Sequence, residues 1–376
     1  MKIQMVATCM FGLERFLGEE IDALGLKRIE TIDGRITFEG EPQDVARANV
    51  FLRTAERVLL KVGSFEARTF TELFDGTKAL PWENYIGKND AFPVTGHSVK
   101  STLFSISDCQ SIIKKAVVDR LSSKYGIKWF EETGVNYKIE FFIIKDLVTV
   151  MIDTSGVGLH KRGYRPAAGL APLRETLAAA IVMNSRPREN VLLWDPFCGS
   201  GTIPIEAAMI MTNRAPGANR EFLGETFDFL PKASWNAARA EAKDKVNDNT
   251  EFEAFGSDVD TEVLKFAREN AARAGVSNRI KFFEADARKI VKPEGRRGTI
   301  VCNPPYGERL MTQKEVETLY REVGQHFSDF APWQIYILSS CFDFEKIYGK
   351  RADKVRKLYN GMIQCNLYQY FKNGKK

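Results

Sequence analysis

From residue 191 onward the chain alternates short apolar runs with longer segments of helical period. The runs are VLLWD (191–195), EAFGSDVD (253–260), IKFFEAD (280–286), GTIVCNPPYG (298–307) and QIYILSS (334–340). Runs this short fit buried strands, because a helix needs roughly 10 or more residues to present a stable apolar stripe. Between and before them, PLRETLAAAIVMNS (172–185), IPIEAAMIM (203–211), TEVLKFARENAARAG (261–275) and EVETLYREVGQHFSDF (315–330) space their apolar residues like helices. Strands alternating with helices of this length predict an α/β fold with a parallel, doubly wound, Rossmann-like sheet. Ligands of such sheets bind beyond the carboxyl ends of the strands, near the point where the strand order reverses.

Four of the five runs place a polar side chain at that end: Asp195, Asp258, Asp286 and Asn303. The first is followed by DPFCGSGT (195–202), where Gly199 and Gly201 allow a tight turn and a close approach of backbone to ligand. The helix beginning near Thr202 then points its N-terminus at the same place. An acid ending the second strand can take both hydroxyls of a ribose, and one ending the third can accept from an exocyclic adenine amine. Singly, a GxG turn also suits dinucleotide enzymes or ordinary turns, and each acid could cap a helix. Jointly they describe a pocket for an adenosine-containing ligand.

NPPYG (303–307) ends the fourth strand. Pro304 excludes helix at Asn303 and carries no N–H, and Pro305 stiffens the next step. The turn therefore holds two acceptors, the Asn303 side chain and the Pro304 carbonyl, in fixed directions. Two acceptors gripping the N–H bonds of an amine on a planar heterocycle favour the pyramidal nitrogen that can attack an electrophile. Tyr306 supplies a ring on which the base can stack, so Tyr306→Phe is expected to be mild. No low-pKa general base is needed, which suits a chain whose three histidines lie far apart, and no metal site is expected.

The first half reads as two smaller units. Residues 1–65 hold strand-like IQMVATC (3–9), a helix over 13–25, a hairpin over 28–40 turning at Asp33–Gly34, a helix over 42–53 starting at a proline, and a strand over 57–67. Residues 66–157 hold a helix broken by Pro81, a strand over 90–101, a helix over 107–126 capped by Ser107 or Asp108 and stopped by Gly126, and a hairpin over 135–153 around Lys145–Asp146. A Gly-rich connector follows, with Lys161, Arg162 and Arg165 and no acid.

Net charge is +5, but it is unevenly spread. Residues 1–165 carry 23 Lys/Arg against 22 Asp/Glu, whereas the stretch from Glu345 to Lys376 has nine basic residues and two acids. Such patches fit a polyanion, although a solvated surface with uneven charge would read the same way. No apolar run approaches the roughly 20 residues of a membrane span, and Glu14 interrupts the N-terminus too early for a good signal peptide. The six cysteines show no CxxC pairing and read as reduced thiols of a cytoplasmic protein.

DPFCGSG, GSDVD, EAD and NPPYG resemble the S-adenosylmethionine motifs of amino-group methyltransferases. LHKRGYRPAAGLAPLRETLAAAI (159–181) is similar to THUMP-containing RNA guanine-N2 methyltransferases, nearest the bacterial large-subunit rRNA enzymes. The resemblance implies a ferredoxin-like domain over 1–65, a THUMP RNA-binding domain over 66–157, a basic connector over 158–170 and a methyltransferase domain over 171–376. It implies S-adenosylmethionine as cofactor, held by Asp195, Pro196, Gly199, Gly201, Asp258, Asp286, Ala287 and Asn303. Catalysis would fall to Asn303, Pro304, Pro305 and Tyr306. The expected substrate is the N2 amine of a guanine in RNA, 23S rRNA before tRNA, with phosphate contacts from Lys161, Arg162, Arg165 and the basic tail. Some relatives carry a second methyltransferase domain fused at the C-terminus; a single methyltransferase domain is expected in this sequence.

Four rivals remain. A tRNA target is a near one, because THUMP domains are similar across tRNA-modifying enzymes. An adenine-N6 methylase on DNA or RNA would use the same NPPY turn. An NAD-dependent oxidoreductase predicts a longer GxGxxG turn and leaves NPPY unexplained. An RNA-binding protein without activity would not need Asn303–Tyr306 intact. Oligomeric state and the modified nucleotide are not legible in the sequence.

Overall fold

A computed structural model describes residues 2–166, 173–306 and 312–371. The chain opens with β1 (Ile3–Thr8), α1 (Glu14–Ala23), β2 (Lys27–Ile32), β3 (Arg35–Gly40), α2 (Asp44–Phe51) and β4 (Arg57–Glu66). The order β2-β3-β1-β4, all antiparallel, is the ferredoxin-like split βαβ arrangement. Next come α3 (Phe70–Ala79), β5 (Val94–Val99), α4 (Ile106–Tyr125), β6 (Ile139–Ile144) and β7 (Leu147–Asp153). Strand β7 pairs with β4, so one seven-stranded sheet, β2-β3-β1-β4-β7-β6-β5, runs through both units. The expected division at 65/66 therefore falls at the end of β4. Lys145 and Asp146 turn the β6–β7 hairpin at φ +51° and +66°, the positive pair of a tight turn matched to strand twist.

The second sheet is built from β8 (Leu192–Asp195), β9 (Ala254–Asp258), β10 (Ile280–Glu284), β11 (Gly298–Cys302), β12 (Gln334–Ser339), β13 (Lys354–Asn360) and β14 (Ile363–Tyr370). Around it lie α5 (Glu175–Ser185), α6 (Thr202–Met211), α7 (Lys232–Asp244), α8 (Thr261–Arg273), α9 (Gln313–Phe327) and α10 (Phe344–Tyr348). Its order is β10-β9-β8-β11-β12-β14-β13, with β8 to β12 parallel, β14 antiparallel to β12, and β13 antiparallel to β14 at the edge. The strand order reverses between β8 and β11, where Trp194 faces Ile300. One apolar core is continuous from Met5, Phe38 and Phe141 to Leu193, Ile205 and Leu367, and a second, including Trp194, Ile300 and Phe327, fills the space under α9.

Several expectations change. The sheet is mixed, not wholly parallel, because the basic stretch near the C-terminus folds into β13 and β14; Arg356 lies over the Phe16 ring at 5.0 Å. Helix α2 starts at Asp44, two residues past the proline. Helix α4 is preceded by Ser105, which places Ser107 and Asp108 inside its first turn. Helix α7 has no counterpart among the expected elements. The expected boundary at 170/171, the helix start at 172, Gly307 and Lys372–Lys376 lie outside the described residues. Among the described residues no helix is long and apolar enough to cross a membrane.

Candidate active site

Asp195 closes β8 and is 1% exposed. Its Oδ1 accepts the Phe197 N–H at 3.0 Å. Burial raises its carboxyl well above the ordinary range, and the nearby Asp258 adds to the rise. The chain then turns through Gly199 at φ +50° and Gly201 at φ +84° into α6. The Gly199 N–H donates to Asp258 Oδ2 at 2.9 Å, and the Cys198 N–H to the Ser257 carbonyl at 3.0 Å, so the turn is laced to the end of β9. The two glycines serve different ends. A Cβ at Gly201 would press on the Phe282 ring at 3.0 Å and Ala267 at 3.2 Å, whereas one at Gly199 would meet nothing within 4 Å. Gly201 lets helix and strand pack; Gly199 presents bare backbone to open space, where a ligand can lie.

Asp258 Oδ1 accepts the Asp260 N–H at 3.1 Å. Each of its oxygens thus holds one N–H and keeps lone-pair capacity for a pair of hydroxyls. Asp286 is more committed. Arg288 donates through Nε to Oδ1 at 2.8 Å, through Nη2 to Oδ2 at 2.7 Å and through its backbone N–H to Oδ1 at 2.9 Å. These bonds hold the Asp286 carboxyl below the usual carboxylate range. Arg288 also reaches Glu322 of α9 at 3.0 Å. Ala287 beside it is buried, as is Pro196.

Across the strand-order reversal, Asn303 leaves β11. Its Oδ1 is buried and accepts no hydrogen bond among the described residues. Such an atom costs free energy unless a ligand donor reaches it, which marks it as an acceptor awaiting a partner. Pro304 is buried, and the Pro305 carbonyl accepts from the Tyr320 hydroxyl at 2.8 Å. Tyr320 is held in turn by Ser339 of β12 at 3.1 Å. Tyr306 is half-buried. Its hydroxyl accepts from Asn360 Nδ2 of β13 at 3.0 Å, and burial pushes its pKa up to about 12.

Beside Tyr306 opens a cavity of about 270 Å³, bounded by Val316 and Glu317 of α9, Cys341, Phe342 and Ile347. Phe342 is 95% exposed. Sequence reasoning passed over it. Its signal was an aromatic residue in the polar turn SSCFD just past the carboxyl end of the fifth strand.

The connector cations part company. Lys161 is exposed, as expected. Arg162 is 4% exposed: it pairs with Glu206 of α6 at 3.4 Å and donates to the Leu159 carbonyl at 2.7 Å and to the Arg53 carbonyl. Arg165 points inward too, to Glu175 at 2.9 Å and to Thr202 Oγ1 at 2.9 Å. The expectation that both contact phosphate is corrected: they face carboxylates at the root of the glycine turn. Their charge was legible in the sequence and their direction was not.

Asp195, Gly199, Gly201 and Asp258, the residues expected to line an adenosine pocket, thus lie at one bonded turn, Asp286 lies two residues past the end of β10, and Asn303 lies across the reversal. An RMKL-like methyltransferase domain model matches residues 162–369, an RlmL ferredoxin-like domain model residues 4–59 and a THUMP domain model residues 67–153. The chain is 45% identical over 372 residues to “Putative RNA methyltransferase YpsC” of Bacillus subtilis, covering 98% of this chain and 96% of that one. It is 35% identical over 370 residues to “Ribosomal RNA large subunit methyltransferase K/L” of Psychromonas ingrahamii, covering 96% of this chain and 49% of that protein, about half its length. Its structure matches the crystal structure of “SMU.472, a putative methyltransferase complexed with SAH” at a TM-score of 0.91 and 40% identity, covering 100% of this chain and 99% of the other.

Proposed function

The chain belongs to the THUMP-domain RNA methyltransferases of the RlmL/YpsC type, and from that premise we propose that it methylates the exocyclic N2 amine of a guanine in 23S rRNA with S-adenosylmethionine as donor. One observation carries the amine chemistry: the buried, unpartnered Asn303 Oδ1 at the strand-order reversal. The cofactor reading rests on the open space at Gly199, on the lone pairs left on Asp258 and on the SAH complex of the similar methyltransferase. The rRNA reading leans on the 35% identical large-subunit rRNA enzyme, and RNA capture on the match to a THUMP domain.

When bound, the cofactor supplies an electrophilic methyl group. Asp258 and the bare backbone at Gly199 would hold its adenosine part; Asp286, already bonded to Arg288, offers its remaining lone pairs. The protein's share of the chemistry is positioning. Asn303 Oδ1 and the Pro304 carbonyl accept hydrogen bonds from the two amine N–H groups and turn the nitrogen lone pair out of the ring plane; once the nitrogen is methylated, it sheds one of those two protons to water. The carbonyl acceptor is stiff. Pro304 is fixed by its ring, and Tyr320 anchors the next carbonyl. The ring of Tyr306 and the exposed ring of Phe342 flank a space in which a base taken out of its stack can be held. A base paired in a helix cannot present its amine in line with a methyl donor, so the target is single-stranded or extruded.

The test is to label 23S rRNA, tRNA and plasmid DNA separately with methyl-tritiated S-adenosylmethionine and digest the products to nucleosides. N2-methylguanosine from 23S rRNA is the expected product. The Asn303–Tyr306 turn serves an adenine amine equally well, so N6-methyladenosine would overturn the base while leaving the amine mechanism. Label confined to tRNA would overturn the substrate. Asn303→Ala should cut turnover by roughly 10²-fold or more with cofactor affinity nearly unchanged, as expected when one positioned transition-state partner is lost.

A further inference from the structure

A cleft of about 870 Å³ lies between the connector and the segment after α6, with Val157, Lys161, Asn219 and Arg220 among its walls. Its charges are unequally matched. Arg239 is neutralised by Glu225, and Arg165 by Glu175 at 2.9 Å. Lys161 and Arg220 have no carboxylate partner among the described residues, and the wall residue Glu221 is exposed at the rim.

Arg220 is fixed by other means. Its Nη1 donates to the Gly158 and Lys161 carbonyls, each at 2.9 Å, and its Nη2 to the Val157 carbonyl. Its guanidinium also lies over the Phe222 ring at 5.0 Å, and Arg239 holds the Arg220 carbonyl at 2.9 Å. Three of five N–H donors are thus spent on carbonyls and two are left over. Neutral acceptors orient a guanidinium without cancelling its charge, which is the condition for a preorganised anion site. Burial, with the nearby Arg162 and Arg57, holds the Arg220 pKa down to about 10, a strain that a bound anion would relieve.

We propose that this cleft is a phosphate site for the substrate RNA strand, in which Lys161 and Arg220 hold the backbone between the THUMP segment and the methyltransferase domain. Val157 lies four residues past β7, the last strand of the THUMP segment, while Arg220 follows α6, whose first turn carries the cofactor loop. A strand captured by the first and delivered to the second has this cleft at the junction. The volume exceeds what one free phosphate fills and suits a nucleotide of a longer chain. The inference rests on the RNA-methyltransferase reading of the active site.

The experiment measures RNA affinity directly, by fluorescence anisotropy with a labelled 23S rRNA transcript, over a series of salt concentrations. Lys161→Ala should weaken binding severalfold and make the slope of log affinity against log salt shallower by about 1, and Lys161→Glu should weaken it further. Cofactor affinity by calorimetry should stay at the wild-type value, since Lys161 touches none of the cofactor residues. Arg220→Gln should act in the same direction; because its loss also frees three carbonyls, the exposed Lys161 variants decide the matter if that protein fails to fold. Wild-type affinity and salt slope in both Lys161 variants, beside a wild type that binds RNA, would overturn the inference alone. A wild type that binds no RNA would overturn it together with the functional reading. A melting shift given by inorganic phosphate that is lost in Lys161→Glu, with RNA affinity unmoved, would make this a free-anion site and overturn the RNA strand.

Discussion

At the scale of single residues, the carboxylates at the strand ends differ by what surrounds them. Asp286 is held ionised by Arg288, whereas Asp195 is fully enclosed with one backbone N–H for company. Burial raises Asp195 well above the ordinary carboxyl value of about 3.9. An acid with a raised folded pKa binds more protons folded than unfolded, so its contribution to stability falls as pH climbs from about 4 toward that raised value. Asp195→Asn removes this titration. Wild-type thermal stability, measured without cofactor, should therefore decline relative to Asp195→Asn as the pH rises from about 4, with the contributions of all other groups cancelling in the difference. Parallel melting profiles for the two proteins over that range would show that Asp195 is not held protonated by its burial.

At the scale of elements, the hairpin β13–β14 does more than finish the sheet. Asn360 of β13 donates to the Tyr306 hydroxyl, tying the Asn303–Tyr306 turn to an element 54 residues later. The expectation that Tyr306→Phe is mild considered the ring alone; the hydroxyl is an anchor. Tyr306→Phe and Asn360→Ala should each lower kcat severalfold, and the double variant should be no worse than either single one, because both remove the same bond. Fully additive losses in that cycle would mean the two residues act apart. This anchor was hidden from sequence reasoning for a physical reason. KVRKLYN, the sequence of β13, carries four basic or polar side chains and reads as a solvated tail, yet Lys and Arg along an outer strand are what keeps a sheet edge from pairing with other chains. Strands β8 to β12 were legible because each is a short apolar run, and four of the five lead into an Asp or Asn at their carboxyl end. Asn303 was legible because prolines fix its backbone whatever the tertiary context. The lack of a partner for its Oδ1 among the described residues, the inward turn of Arg162 and Arg165, and the ring of Phe342 beside the Asn303–Tyr306 turn depend on contacts between distant segments, which periodicity does not encode.

At the scale of the whole molecule, the two sheets are joined by a buried ion cluster as well as by apolar packing. Glu206 of α6 is fully buried and faces Arg53, from the loop between α2 and β4, at 3.6 Å, Arg162 from the connector at 3.4 Å and the Tyr164 hydroxyl at 3.3 Å. Nearer the surface, Arg47 of α2 meets Glu241 of α7 at 2.9 Å, with both side chains partly exposed. The two contacts should differ in energetic weight. Removing one charge from a buried cluster strands its partners, at about 3–5 kcal/mol, whereas a solvated pair is worth about 1 kcal/mol or less. Glu206→Gln should therefore lower the thermal midpoint far more than Arg47→Met does. It should also weaken RNA methylation more than cofactor affinity, because Glu206 fixes the RNA-binding sheet against α6 while the cofactor loop keeps its own bonds to β9. If Glu206→Gln instead melts with the wild type, the continuous apolar core from Met5 to Leu367 joins the sheets unaided, and the cluster serves only to set the angle at which a captured RNA meets the Asn303 turn.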